Sequence, residues 1–122
     1  MGVDIAIYYR DASTGQNVSI EVPHCYSTLG SLLASKEFWS IPKIVDVGIE
    51  LLAELGKWSS IFIEGWEKLG RLGREIALLA AHSATIDYDP QAKASWFANL
   101  TFCHLLLIET APRDSTPVMM LG

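Results

Sequence analysis

Two short segments near the N-terminus alternate strictly between apolar and polar residues. Apolar residues at every second position form one face of each segment: Val3, Ile5, Ile7 and Tyr9 in the first, and Val18, Ile20 and Val22 in the second. A period of two with β-branched side chains is typical of strands. The residues between the segments, 11–17, are rich in turn formers. The pattern predicts an N-terminal antiparallel β-hairpin over residues 1–22.

Helical periodicity replaces this alternation over residues 27–110 and predicts about four α-helices. The first is expected from Ser27 or Thr28 to about residue 38. A second, amphipathic helix is expected over residues 41–57, because Ser40 is a good N-cap and Pro42 suits a first helical turn.

The third predicted helix runs from a cap at Ser60 to about residue 83. Trp58, Phe62 and Trp66 recur at helical core spacing, so we favour burial for them. The alternative is that one or two of the tryptophans are partly exposed interface anchors. Its small residues Gly70, Gly73 and Ala77 indicate close approach of another helix, and the apolar run 76–81 predicts burial on every side.

The fourth predicted helix is capped by Asp89, begins at Pro90 and ends near residue 110, before Pro112. Its surface is so apolar that we expect it in the core or in a subunit interface. The tail, residues 111–122, either adds a short strand or stays unstructured.

The expected fold is α+β and mostly helical. An N-terminal antiparallel β-hairpin, with the tail as an optional third strand, packs on about four α-helices. We expect a single domain over residues 1–122, made of the hairpin (1–22), the helical region (27–110) and the tail (111–122). Because an isolated hairpin is marginal in water, the hairpin must lie on the helices, gain the tail, or pair with a second copy.

Composition favours association. Half of the 122 residues are hydrophobic and the mean hydropathy is +0.26, which implies more apolar surface than one small fold can hide. The net charge of -5 without a Lys/Arg cluster argues against nucleic acid. No apolar stretch is long enough to span a bilayer, so no membrane contact is expected.

The two cysteines are relevant to the cellular compartment in which the protein works. Residues 1–10 carry no secretory signal, so we expect a cytoplasmic protein with Cys25 and Cys103 as free thiols. The pairs His24-Cys25 and Cys103-His104 contain metal-ligand side chains. Neighbours point to opposite faces on a strand and diverge by about 100° on a helix, so we do not expect both members of a pair to reach one ion. We therefore predict no metal and no cofactor.

Three carboxylates, Asp46, Glu50 and Glu54, are spaced four residues apart on the second predicted helix. A di-metal bundle needs Glu-x-x-His pairs on facing helices, and neither Glu50 nor Glu54 has a His three residues later. The row is interpreted as a solvated helix face.

Two hypotheses about function remain open. The first is a small cytoplasmic, non-enzymatic protein that acts by protein–protein association, as a homodimer or with another protein. The alternative is a small enzyme or ligand-binding domain with a site between the hairpin and the helices. Its candidate ligand-binding residues are Tyr8, Arg10, His24 and His82. No catalytic residue is assigned.

Overall fold

The computed structural model describes residues 2–122 and confirms the α+β, mostly helical class. Its antiparallel sheet has strands β1 (Gly2–Arg10), β2 (Asn17–Ile20), β3 (Thr28–Ser31), β4 (Ile61–Glu64) and β5 (Thr116–Leu121). Its helices are α1 (Leu32–Trp39), α2 (Pro42–Asp46), α3 (Trp66–His82) and α4 (Pro90–Thr110). Short 3₁₀ segments occupy His24–Tyr26, Leu52–Gly56 and Ser83–Thr85.

The N-terminal hairpin is confirmed, with Tyr8 of β1 opposite Ser19 of β2. Asp11 organises its turn, because the Asp11 carboxylate accepts hydrogen bonds from the Ser13 hydroxyl and from the Thr14 amide and hydroxyl. These bonds lower the pKa of Asp11. The turn predicted from composition therefore has a specific polar centre.

The tail forms a strand in the interior of the sheet, which confirms the predicted third strand. The strand order is β2-β1-β5-β4, and β3 pairs separately with the start of β1. Met119 of β5 lies opposite Ile7 of β1 on one side and Ile63 of β4 on the other. The hairpin is thus stabilised by long-range pairing within the same chain.

Strand β4 occupies the start of what the sequence predicted as the third helix, so that boundary is wrong. Ile61 and Ile63 face the core side while Phe62 and Glu64 are exposed, which is the period of a strand. Gly65 follows with φ 98°, a left-handed conformation that glycine allows, and turns the chain into α3. Pairing with distant β5 has overridden the local helical spacing.

Strand β3 likewise displaces the start of the first predicted helix. Residues of β3 pair with β1, and α1 begins three residues later than expected from a Thr28 cap. Ser31 is the actual N-cap, since its hydroxyl accepts the Ala34 amide at 3.1 Å. Two short strands therefore lie within the region predicted as helical.

The continuous helix predicted over residues 41–57 is interrupted. Helix α2 ends at Asp46, and Gly48 adopts φ 106°. The amides of residues 50–52, which a continuous helix would bond to carbonyls four residues earlier, are bound by the Glu75 carboxylate instead. A side chain from α3 thus replaces helical hydrogen bonds in this segment.

Helix α4 is confirmed, with Asp89 accepting the Ala92 amide at 2.8 Å and Pro90 in the first position. It packs beside α3 where Gly73 lies against His104, so the predicted close approach is confirmed at Gly73. The expectation that residues 76–81 are buried on every side is wrong. Three alanines of that run are exposed: Ala77, Ala80 and Ala81.

The core lies between the helices and one face of the sheet. Strand residues in it include Ile5, Ile7, Ile63, Met119 and Leu121, and helix residues include Leu69, Leu72, Leu100 and Leu107. Because strand side chains alternate between faces, the opposite face carries Tyr8, Arg10, Phe62 and Glu64. These four are half-buried or exposed.

Candidate functional site: a groove along the edge of β4

A groove of about 550 Å³ follows the edge of β4 that does not face β5. Four consecutive residues of the β4 segment line one wall: Ser60, Ile61, Phe62 and Ile63. The other walls come from the region of the second 3₁₀ segment and from α3: Glu50, Leu51, Glu54, Trp58, Lys68 and Arg71. The groove therefore joins a strand edge to a mixed apolar and charged wall.

The backbone of β4 presents hydrogen-bonding groups to this groove. The Gly65 amide donates to the Pro117 carbonyl at 2.8 Å, which makes these two residues a hydrogen-bonded pair of the β4–β5 ladder. Such pairs alternate along an antiparallel ladder, so Ile63 and Ile61 also bond to β5. The N–H and C=O groups of Phe62 and Glu64 consequently point away from β5, and they form an open sheet edge.

Two large aromatic side chains are exposed at the groove. Trp58 is 61% exposed and Phe62 is 56% exposed. The prediction that both belong to the core is therefore wrong, because β4 is a strand and turns Phe62 to the outer face. Burying such a side chain against a partner is worth about 1.5–3 kcal/mol. The alternative that a tryptophan serves as an interface anchor agrees with the exposure of Trp58.

The groove carries charges of both signs. Arg71 donates to Glu50 at 3.3 Å, and the Trp58 indole N–H donates to Glu54 at 3.1 Å. Within residues 2–122, neither Glu54 nor Lys68 has an oppositely charged group within 4.0 Å. One carboxylate and one ammonium group in this wall thus remain available to a bound partner.

A buried carboxylate on α3 positions the groove wall. Glu75 is 5% exposed, and its carboxylate accepts the amides of Glu50 at 3.1 Å, Leu51 at 2.9 Å and Leu52 at 3.1 Å. Three N–H groups at the start of the Leu52–Gly56 segment satisfy the charge and fix this backbone. The sequence analysis did not single out Glu75. The one available signal was its position directly before the apolar run 76–81.

Tyr8 and Arg10, two of the sequence-predicted ligand-binding residues, lie on the outer face of β1. Tyr8 is opposite Val118 of β5, and Arg10 donates to Glu64 of β4 at 2.9 Å across β5. The structure therefore brings Arg10 to the same sheet face as Phe62. It also gives the guanidinium a carboxylate partner within the chain.

His24 and His82 lie on other elements. His24 is exposed at the start of the 3₁₀ segment after β2, and His82 is the half-buried last residue of α3. The His82 carbonyl accepts the Thr85 hydroxyl at 2.8 Å. Across the described residues, no hydrogen bond or ion pair joins either histidine to Tyr8 or Arg10.

The two Cys/His pairs are directed toward separate partners. Cys103 is buried with its Sγ 3.4 Å from the Tyr26 carbonyl, whereas His104 Nε2 lies 2.8 Å from the Leu69 carbonyl. Burial raises the pKa of the Cys103 thiol to about 11. Cys25 is exposed, and both thiols are free. Over residues 2–122, no three His, Cys, Asp or Glu side chains are grouped to hold a metal ion.

A second cavity of about 480 Å³ lies near the same 3₁₀ segment and shares Glu50 and Glu54 with the groove. It is lined mainly by residues of that segment and of the chain before it, among them Trp39, Val45 and Ile49. Unlike the groove along β4, it is not lined by any strand residue.

None of the helices described within residues 2–122 has the length and apolar character needed to cross a membrane. No protein-family model, curated protein or solved structure matches the chain. The interpretation of the groove therefore depends on its own geometry.

Proposed function

We propose that this protein acts by association: it binds an extended polypeptide segment as an additional strand along the edge of β4. One observation carries the proposal, namely an open strand edge lying in a groove with the exposed aromatics Trp58 and Phe62. Strand addition uses main-chain hydrogen bonds for affinity and side-chain pockets for specificity. The groove supplies both kinds of contact.

The hydrogen bonds would come from the outward N–H and C=O groups of Phe62 and Glu64. An added strand lies about 4.8 Å away, and its alternate side chains point into the sheet's core side and its outer side. On the core side these side chains meet the wall that contains Leu51. On the outer side they meet Phe62, whose ring is largely exposed.

The opposite edge of the sheet is a weaker candidate. Strand β2 is also four residues long, and all but Ile20 are exposed. Its edge does not line either of the two cavities. Asn17 and Ser19 make it more polar than β4, so an added strand would bury less apolar surface there.

The proposal is one of binding rather than catalysis. The alternative, a ligand site built from Tyr8, Arg10, His24 and His82, has weaker support because Arg10 is engaged by Glu64 and the histidines lie on other elements. We also propose that the protein is cytoplasmic, which the two free thiols, one of them exposed, support.

The test uses fluorescently labelled heptapeptides with alternating apolar and polar residues, titrated with the full-length chain and followed by anisotropy. We expect some of them to bind the wild type and to bind Phe62→Pro at least about tenfold more weakly. Proline removes the ring and an amide that faces away from β5, so the β4–β5 ladder is retained. Thermal unfolding checks folding, and Phe62→Lys is the second variant because it keeps the amide but replaces the ring by a charge.

Ser19→Pro is the matched control. The Asp11 amide bonds to the Gln16 carbonyl, so Ser19 lies at an outward position of β2, as Phe62 does in β4. Binding by Ser19→Pro should equal that of the wild type. If no peptide binds, or if Phe62→Pro and Phe62→Lys bind like the wild type, the proposal is wrong.

A further inference from the structure

We infer that the segment bound at this edge is β4 of a second copy, paired antiparallel about a two-fold axis at Phe62. This inference rests on the proposed function, since it names the partner of the same groove. The observations that support it are the backbone register of β4 and the distribution of charges along the groove. Pairing of this kind would join two five-stranded sheets into one continuous sheet.

The register follows from which backbone groups are free. Phe62 and Glu64 point outward, so a hydrogen-bonded pair in the dimer must be formed by outward residues of both strands. Placing Phe62 opposite Phe62 of the second copy meets this condition at the two-fold axis. The same register puts Ser60 opposite Glu64 of the second copy, so the hydroxyl faces the carboxylate.

Side-chain contacts favour the same register. Two rings that are each 56% exposed would cover one another as an aromatic cross-strand pair. On the core side, Ile61 would lie opposite Ile63 of the second copy. A shift that centres the axis on Ile63 would place Phe62 opposite the Glu64 carboxylate of the second copy, and the aromatic pair would be lost.

The charges at the two ends of the groove are complementary under this symmetry. Glu54 is tied to Trp58, three residues before β4, whereas Lys68 lies in the first turn of α3, just after β4. Antiparallel pairing brings the beginning of one β4 beside the end of the other. Glu54 of each copy therefore approaches Lys68 of the other, and these are the two groove charges without an ion-pair partner in residues 2–122.

Local complementarity matters because the whole chains repel each other. Each copy carries a formal charge of -5. The charged wall of the groove, by contrast, has two carboxylates and two cations: Glu50, Glu54, Lys68 and Arg71. The groove is thus a part of this acidic surface where a second copy meets balanced charge.

The decisive experiment mixes two charge variants of the full chain. In Glu54→Lys, both symmetric contacts become cation against cation, and in Lys68→Glu both become carboxylate against carboxylate. Each variant alone should dimerise at least about tenfold more weakly than the wild type in sedimentation equilibrium. When the two are mixed, each contact again joins opposite charges. With one of the two variants uniformly labelled with ¹⁵N to separate the masses, native mass spectrometry should then show mainly the heterodimer, identified by its intermediate mass.

The outcomes separate this inference from the proposed function. If the wild type stays monomeric at about 200 μM while heptapeptides bind the β4 edge, the inference that a second copy is the partner is wrong. The proposed function then still stands. If mixing the variants gives no heterodimer enrichment, the inferred register is wrong. If a wild-type dimer persists in Phe62→Pro and is lost in Leu105→Lys, the interface lies on α4, where Leu105 is 51% exposed, and the inference is overturned.

Discussion

The carboxylate of Glu75 holds the amide of Leu51 at 2.9 Å, which ties α3 to the backbone that forms one wall of the groove. The amides of Glu50 and Leu52 bind the same carboxylate, so the segment entering the Leu52–Gly56 turn is fixed at three consecutive points. The groove wall is therefore anchored from the core. It does not depend on contacts at the surface.

Replacing Glu75 should destabilise the fold and loosen this wall. Glu75→Gln keeps the shape but removes a charged acceptor from buried amides, for which we expect a loss of about 2–4 kcal/mol in the free energy of unfolding. Urea unfolding measures it. Glu67→Gln, an exposed glutamate on the same helix, is the control and should change stability by less than about 0.5 kcal/mol. Equal effects of the two variants would contradict the anchoring role.

Two glycines of α3 should respond to alanine with opposite signs. A Cβ at Gly73 would lie 2.9 Å from Cε1 of His104, whose ring is held by the Leu69 carbonyl. At Gly70 the nearest atom is Nη1 of Arg74, at 3.9 Å. Alanine favours a helix by about 1 kcal/mol over glycine, so Gly70→Ala should stabilise.

Gly73→Ala should lose that gain to the clash with His104, and overpacking of this kind costs about 1–3 kcal/mol. We therefore expect Gly70→Ala to raise the thermal midpoint and Gly73→Ala to lower it, as measured by circular dichroism. Stabilisation by both variants would show that α3 and α4 are not closely packed at this point.

The Cys103 thiol should make stability depend on pH in the alkaline range. Burial raises its pKa from 9.0 to about 11, so between these values the unfolded chain loses a proton that the folded protein keeps. The stabilisation that the Cys103 thiol contributes is therefore complete below pH 9 and is lost as the pH rises through 11. Within this range, each pH unit lowers the free energy of unfolding by at most about 1.4 kcal/mol.

Comparison with Cys103→Ala isolates this effect, because all other groups titrate in both proteins. We expect the variant to be less stable at about pH 8 and the stability difference to narrow by about pH 10.5 in urea unfolding. A difference that stays constant with pH would contradict the burial of the Cys103 thiol.

Local signals along the chain predicted the elements that local interactions decide. Asp89 and Pro90 mark the start of α4 by capping alone, and the alternation from Val3 to Tyr9 marks β1. Of the two alternatives for the tail, the strand is correct, because β5 pairs with β1 of the hairpin. These features need no knowledge of distant residues.

The groove could not be predicted because long-range contacts create it. Phe62 fits a helical core pattern with Trp58 and Trp66, and only pairing with β5 makes its segment a strand. The role of Glu75 likewise requires the amides of residues 50–52, far away in sequence. Gly65 was the one local warning, since glycine there permits the left-handed turn that separates β4 from α3.

The most direct test of the association surface is hydrogen exchange at single amides of β4, measured by NMR at about 20 μM and about 500 μM protein. Ile61 and Ile63 bond to β5 and should be protected at both concentrations. The amides of Phe62 and Glu64 point away from β5, and they should exchange fast in dilute solution and become protected at high concentration. If these two amides still exchange fast at a concentration where sedimentation shows a dimer, the β4 edge is not the interface between the two copies.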